Sequence, residues 1–492
     1  MVAYRSKKYA HKEPVQGCFW DEEETIPKTP KYAYEFPNAL SSEHATSLCR
    51  GIMNPDDPDA GFKLLFEDYP GLDFDQTIID GGLTAKSMLI CGLPGTGKTT
   101  FVNKLITHIK KEVHNQVICL APTHAAAGLI DGLTVHAFER EWRNACENPS
   151  ARRTLQRKLY HTTHIIIDEV SMMQSTFYAL FTNVKNTFPH ISWILVGDFK
   201  QLPPVLDDLL QPKPDGMITT KKCTVAYEYS NAVSWLCGCH TVELTHCRRS
   251  DKDMFAYTQT LYKAVITKRS NDCDEEGDGM PSSTSFRDLH ATNRNLAYTH
   301  STRLMVNYEC ETNFVAGKET HEAPRDVKFD KKDKGLTLTR KTQSMLLCAG
   351  YPLVCFSTNK ALGVHNSDRF EVVELKEETV VIKPVLKKAQ RDAFSAEKIQ
   401  AKDVERIEVR YIHKGDKRED IGVHRCFRPG FCITVHQSQG DTFEGKYTIY
   451  DWNHKYMYGE GRYVAFSRGQ RCGDVQISER EWELPKELLA VP

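Results

Sequence analysis

Three glycines, a lysine and three threonines in the run GLPGTGKTT, residues 92–100, have the types and spacing that hold a nucleotide phosphate. Gly92, Gly95 and Gly97 allow backbone amides to turn inward around phosphate oxygens. Thr96 completes the loop. Lys98 is placed to reach the β- and γ-phosphates, and Thr99 to set its hydroxyl on Mg²⁺, with Thr100 next to it. Seventy residues after that lysine, the apolar run IIIDEVSMM delivers Asp168 and Glu169. Paired carboxylates here suit two tasks: Asp168 holds the Mg²⁺ shell and Glu169 deprotonates an attacking water. A third segment, VGDFKQLPPV at 196–205, presents Gln201 on a loop stiffened by Pro203 and Pro204. A neutral amide there can sense a γ-phosphate without burying another charge. Together these residues read as ATP hydrolysis with Mg²⁺.

The elements that must position them follow from the apolar pattern. SMLICG, QVICLAPT, HIIIDEVSM and ISWILVGD are short apolar runs, each ending in a polar cluster, with helical stretches such as FVNKLITHIKK between them. That alternation predicts a parallel sheet with helices on both faces, its ligands at the carboxyl ends of the strands. A break falls near QPKPDGMITT, and NDCDEEGDGMPSSTS at 271–285 reads as an acidic solvated loop. Between about 340 and 425 the pattern shifts to alternating strands, YPLVCFSTN, RFEVVELK, TVVIKPVL and ERIEVRYI, interrupted by the charged stretch KKAQRDAFSAEKIQAKD. Apolar strands are expected again at FCITVH, KYTIYDW and RYVAFSR.

The fold class expected is α/β: two parallel-sheet domains with a small β-barrel module inserted in the second. Residues 1–80 read as an N-terminal extension, 81–215 as the first domain, 216–335 with 426–492 as the second, and 336–425 as the insertion. At 492 residues the chain is long enough for several real cores. Its net charge of −1 announces no polyanionic partner, though a basic groove can sit on a neutral protein. No signal peptide, transit peptide or membrane span is recognisable, and the 16 cysteines are scattered, so an intracellular, reducing location is expected. Cys237, Cys239, His240, His246 and Cys247 lie near one another in sequence, but not at a usual zinc spacing, and read as plain side chains.

In this order the segments resemble superfamily 1 helicases, and DEVSM with GDFKQLPPV is similar to class B, the Pif, RecD and Dda types. APTHAAAGLI at 121–130 and TVHAF at 134–138 resemble motifs Ia and Ib; CRRSDKDMF resembles motif IV, FCITVHQSQGDTFEG motif V and RYVAFSRGQ motif VI. The resemblance implies two RecA-like domains with ATP at their interface and an SH3-like barrel insertion. It implies DNA unwinding with 5′-to-3′ movement on a single strand, and a setting in replication, recombination or repair, with replication proteins as partners. Arg468 takes the part of an arginine finger, and Arg248 that of a γ-phosphate contact, with Arg249 as its alternative because the segment reads R-R-S-D rather than R-Q-x-D. Gly440 joins the nucleotide set. Thr123, His136, His436, Ser438 and Gln439 match positions that face the strand, where hydroxyls and imidazoles bond phosphates without reading sequence. Phe138 or Trp142 is a candidate aromatic stop for bases. Gln76 is the one candidate for an upstream adenine-reading glutamine. An RNA helicase and a non-unwinding translocase remain the alternatives.

Overall fold

The computed structural model describes residues 62–478 apart from 113–114, 205–207, 213–217, 223–229, 271–293, 324–326, 330–335, 339–344, 360, 386–405, 412–421, 455–456 and 458. The acidic loop at 271–285, the charged stretch at 387–403 and most of the expected N-terminal extension lie outside the described residues.

The first of two compact units ends at Arg249. Its sheet has seven strands: β1 (Lys63–Leu64), β2 (Met88–Gly92), β3 (Gln116–Ala121), β4 (Leu133–Thr134), β5 (Thr162–Ile167), β6 (Ser192–Val196) and, after a hairpin of β7 (Asp208–Pro212) and β8 (Ile218–Lys222), β9 (His240–Leu244). The order is β1-β9-β2-β6-β5-β3-β4, and every pairing is parallel. Successive side chains of a strand face opposite layers, and both layers here are apolar. Ile165 and Ile167 pack with Phe138, Trp142, Phe181 and Trp193 on one face. Ile166 packs with Ile90, Phe101, Ile194 and Val242 on the other. Each such burial stabilises by roughly 1.5–3 kcal/mol, so the continuous isoleucine run demands cover on both sides.

Two expected boundaries move. The domain edge at 215/216 falls short, because β9 pairs along β2 from Leu89↔Thr241 to Gly92↔Leu244 and so continues the first sheet. Similarly, 63–80, expected as part of an extension, packs into the core of the first unit. The helix Phe74–Asp80, capped by the Asp73 side chain on the amide of Asp75 at 2.9 Å, buries Phe74 and Ile78 in the same core as Phe101.

The second unit runs from Ser250. Its four-stranded sheet, ordered β20-β10-β21-β22, joins β10 (Asn295–Ala297), β20 (Cys432–Thr434), β21 (Tyr447–Ile449) and β22 (Val475–Ile477), all parallel. Two short antiparallel pairs follow β10: β11 (His321–Ala323) with β14 (Met345–Leu347), and β12 (Val327–Phe329) with β13 (Leu336–Leu338). The insertion is a five-stranded antiparallel sheet, ordered β18-β17-β16-β15-β19: β15 (Pro352–Cys355), β16 (Arg369–Leu375), β17 (Thr379–Pro384), β18 (Ile407–Arg410) and β19 (Phe427–Pro429). All four strands expected there form, and β19 adds a fifth just past the expected edge at 425. RYVAFSR is not a strand. Its first five residues lie on the helix Gly459–Phe466, whose Tyr463, Val464, Ala465 and Phe466 are all buried. An apolar run this short fits a buried helix as well as a buried strand. Among the described residues no helix is long and apolar enough to cross a membrane.

Candidate functional site

Every phosphate-directed residue of the first unit sits at one edge of its sheet, because parallel strands all end on the same side. β2 ends in Gly92, β5 runs into Asp168, β6 into Asp198 and Gln201, and β9 into Arg248 and Arg249. The loop after β2 needs its glycines. Gly92, Gly95 and Gly97 have φ of 145°, 85° and 95°. A Cβ at Gly92 would strike the Leu244 carbonyl, and one at Gly95 would come within 3.3 Å of Arg249. Thr96 is fully buried and donates to the Leu93 carbonyl at 2.8 Å, pinning the turn. The helix Lys98–Lys111 then starts with no side-chain cap at Gly97, so its first amides and positive dipole end are available to an anion. Lys98 Nζ folds onto the loop, donating to the carbonyls of Gly92 at 2.6 Å and Leu93 at 3.2 Å. Thr99 is half-buried and Thr100 exposed on that first turn.

Asp168 is 3% exposed. Burial pushes its carboxyl up to about 7, and the neighbouring Glu169 charge pushes the same way; the Glu169 amide, donating at 2.8 Å, and the Lys98 charge only partly oppose them. A carboxylate so placed wants a cation. Glu169 has φ 54° and ψ 44°, a left-handed conformation that costs a non-glycine residue on the order of 1–3 kcal/mol and turns it sharply off the end of the strand. Gln201 is buried beside Asp198, its amide nitrogen 3.4 Å from Asp198 Oδ2. Among the described residues its Oε1 has no hydrogen-bond partner. A glycine cradle, a carboxyl held half-neutral by burial and an orphaned amide oxygen together fit a magnesium nucleotide.

The sign of the Asp168 effect is testable. A carboxyl raised from its usual value near 3.8 penalises the ionised folded state, so ligand-free stability falls as pH rises from about 4 to about 7. Asp168→Asn removes that loss. The variant should melt higher than the parent at pH 8, with the gap closing below pH 4; an equal gap at both pH values would refute the assignment.

Arg248 and Arg249 divide the work that their sequence left open. Arg248 donates to the Thr96 carbonyl at 2.9 Å and to Asp68, and its guanidinium lies 4.7 Å from the Phe74 ring centroid. It braces the loop from outside. Arg249 is the one that leans on Gly95. Sequence reasoning missed Asp68, which also accepts from the amides of Thr245 at 2.8 Å and His246 at 2.9 Å. Burial raises its carboxyl, but these bonds and the Arg248 charge win and hold it below the usual range. Nothing local marks an aspartate 180 residues upstream of its arginine. Gln76 is exposed and donates to Asp80 at 2.7 Å, on the outer face of its helix. Cys239 and Cys247 flank the full length of β9, so the strand holds the donors of the cysteine–histidine stretch apart.

The candidate strand contacts separate into two kinds. Thr123 caps the helix His124–Leu129, accepting from the Ala126 amide at 3.1 Å, and His136 is exposed with its ring 4.8 Å from that of Phe177. Phe138 is fully buried and Trp142 nearly so, packed together and on Phe181, so neither can stop a base. Helical spacing put both on the core face. Phe138→Ala should cost about 3–5 kcal/mol of unfolding free energy in denaturant melts. Unchanged stability with lost unwinding would restore the stacking role.

In the second unit the loop after β20 carries His436, Gln439 and Gly440, the last at φ 83°. His436 is half-buried against Tyr298, at 5.8 Å between rings, and burial holds its imidazole below the usual range. Ser438 is fully buried and donates to the Val435 carbonyl at 2.8 Å, so its hydroxyl stabilises the turn rather than facing a strand. Gln439 is also buried. Arg468 is 3% exposed and donates to Val464 O at 2.9 Å, Ser467 Oγ at 2.9 Å, Asp441 O at 3.3 Å and Ser438 O at 3.5 Å. Thus the two segments resembling motifs V and VI are one bonded assembly. The inserted sheet joins them: Arg369 pairs with Asp441 at 2.8 Å and Arg428 donates to Gln437. These two arginines carry no local signal in the sequence.

Residues 75–207 match the AAA domain family. The chain is 27% identical to the ATP-dependent DNA helicase PIF1 of Xenopus laevis over 37% of its own length and 28% of that relative. For the PIF1 of Danio rerio the values are 28%, 44% and 35%, and for the Pif1 of a Psychrobacter strain 30%, 26% and 21%. These matches span about a fifth to a third of the relatives' length. The fold resembles Pif1 helicase from Candida albicans, with TM-score 0.53 and 17% identity over 86% of this chain and 98% of that one. It also resembles Bacteroides Pif1 in complex with ADP-AlF3 and ssDNA, with TM-score 0.51 and 19% identity over 86% and 95%. The chain thus carries a segment that matches the AAA domain family, and its fold is similar to that of solved Pif1 helicases.

Proposed function

We propose that the chain is an ATP-driven DNA helicase that moves 5′ to 3′ on a single strand. The observation that carries the reading is the phosphate edge of the first sheet, where the glycine loop, Lys98, Asp168, Glu169 and Gln201 converge at the ends of neighbouring strands. The loop amides and Lys98 would bind the phosphates, and Thr99 and Asp168 would hold magnesium. That cation supplies counter-charge to the phosphate oxygens. Glu169 takes a proton from the attacking water onto a carboxylate oxygen, and Gln201 orients the γ-phosphate. By resemblance, Arg468 supplies the arginine finger. Thr123, His136 and His436 bond a phosphate backbone without reading bases. The matched relatives are named as ATP-dependent DNA helicases, which favours DNA. The domain edges at 249/250 and at the five-stranded insertion are proposed as the functional ones.

The test is unwinding of 5′-tailed and 3′-tailed duplexes of DNA and RNA, with Lys98→Ala as the control. Unwinding of 5′-tailed DNA alone is expected. A requirement for a 3′ tail sinks the polarity, preference for RNA sinks the substrate, and strand-stimulated ATPase without unwinding leaves a translocase.

A further inference from the structure

Gln116, Ser150, Arg153, Thr154, Arg157, Lys158 and His161 line an open cavity of about 480 Å³ on the first unit. It lies away from the phosphate edge. Gln116 opens β3 and His161 ends the helix that leads into β5, whereas Thr123 and Asp168 follow the far ends of those strands. Six-residue strands put roughly 20 Å between the two edges.

Its walls are cationic by construction. Arg153, Arg157 and His161 recur at i, i+4 and i+8 on the helix Pro149–His161, so they stand on one face about 5–6 Å apart per step. All three are exposed, and no carboxylate lines the cavity among the described residues. Lys158 is bonded to Glu141 at 2.8 Å, but Arg153 and Arg157 have no ion-pair partner among the described residues. Like charges one turn apart weaken a helix. Ser150, Thr154 and Gln116 add neutral donors between the charges, the mixture that grips phosphate oxygens without reading bases.

We propose that this cavity is a second nucleic-acid surface, holding the phosphate backbone of DNA apart from the strand contacts proposed for Thr123 and His136. It rests on the DNA reading above. An acidic protein segment is the competing occupant; two guanidinium groups with interleaved hydroxyl and amide side chains, on a chain whose proposed substrate is DNA, favour the phosphate backbone.

The test uses the full chain with Arg153→Ala and Arg157→Ala combined, both exposed and outside the core. Binding to a 5′-tailed duplex is measured against salt. Losing two backbone contacts should flatten the slope of log K against log salt by about 1.5. ATPase stimulation by a single strand of about 10 nucleotides, long enough for one motor track, should stay at the parent level. An unchanged salt slope overturns the proposal while leaving the motor reading intact. Loss of polyglutamate binding with DNA binding unchanged overturns it in favour of an acidic partner. A parent chain that binds no DNA at any salt overturns both readings.

Discussion

Glu169→Gln should lower the single-strand-stimulated ATPase rate by about 10²- to 10⁴-fold, the span that a positioned general base contributes. The carboxylate at stake sits where β5 ends, turned off the strand by the left-handed backbone of its own residue. Glutamine fills the same volume and can keep φ near 54°, but it cannot accept the water's proton. Nucleotide affinity should therefore hold, since the loop glycines, Thr96 and Lys98 are untouched. Removing the Glu169 charge also removes one of the two influences that raise Asp168, so magnesium affinity at pH 7 should not fall. The measurement is steady-state hydrolysis beside equilibrium binding of a fluorescent nucleotide. A rate within threefold of the parent would take the general-base role from Glu169. Loss of nucleotide binding in parallel with the rate would make it a structural residue.

Arg468→Ala should cost more, about 10³- to 10⁵-fold in the same rate if the residue stabilises charge on the transferring phosphoryl group. Its surroundings add a second expectation. The guanidinium is buried and bonded to the carbonyls of Val464, Asp441 and Ser438, and truncation removes these charge-assisted bonds together. A loss of about 1–3 kcal/mol of stability should accompany the rate effect. Arg468→Lys sharpens the test, because an ammonium keeps the charge but cannot span the same acceptors as a planar fork. If charge alone matters, lysine recovers most of the rate. Recovery by lysine of neither rate nor melting temperature identifies the fork geometry as the requirement. Arg468→Ala with lowered stability but a parental rate would reduce the residue to a brace for the loop at 436–441.

Much of this protein was decided in the sequence. The phosphate loop needs positive φ at Gly92, Gly95 and Gly97, and only glycine adopts it freely. The run Ile165–Ile167 needs cover on both faces, and with β-branched residues throughout and helical stretches on either side it reads as a parallel strand between two helical layers. Local rules of this kind act within a few residues, so the glycine loop and the class of fold were legible. The alternating strands at 352–384 were equally plain, because a period of two survives in the sequence.

What the sequence left undecided depended on partners far along the chain. Tyr463–Phe466 is apolar on every side, so its packing against Tyr257 and Tyr262 of the helix Lys252–Ser270 selects helix over strand. Phe138 reads as either core or stacking ring until Phe181 and Trp142 are seen to close over it. Arg248 and Arg249 are adjacent and chemically identical; Asp68 takes one of them for the outside of the loop and leaves the other against Gly95. The sequence by itself determined the glycine cradle and the candidate phosphate residues, through backbone freedom and side-chain type. The tertiary structure decided how equivalent residues such as Arg248 and Arg249 are placed around it, because burial and long-range ion pairs exist only once distant segments have met.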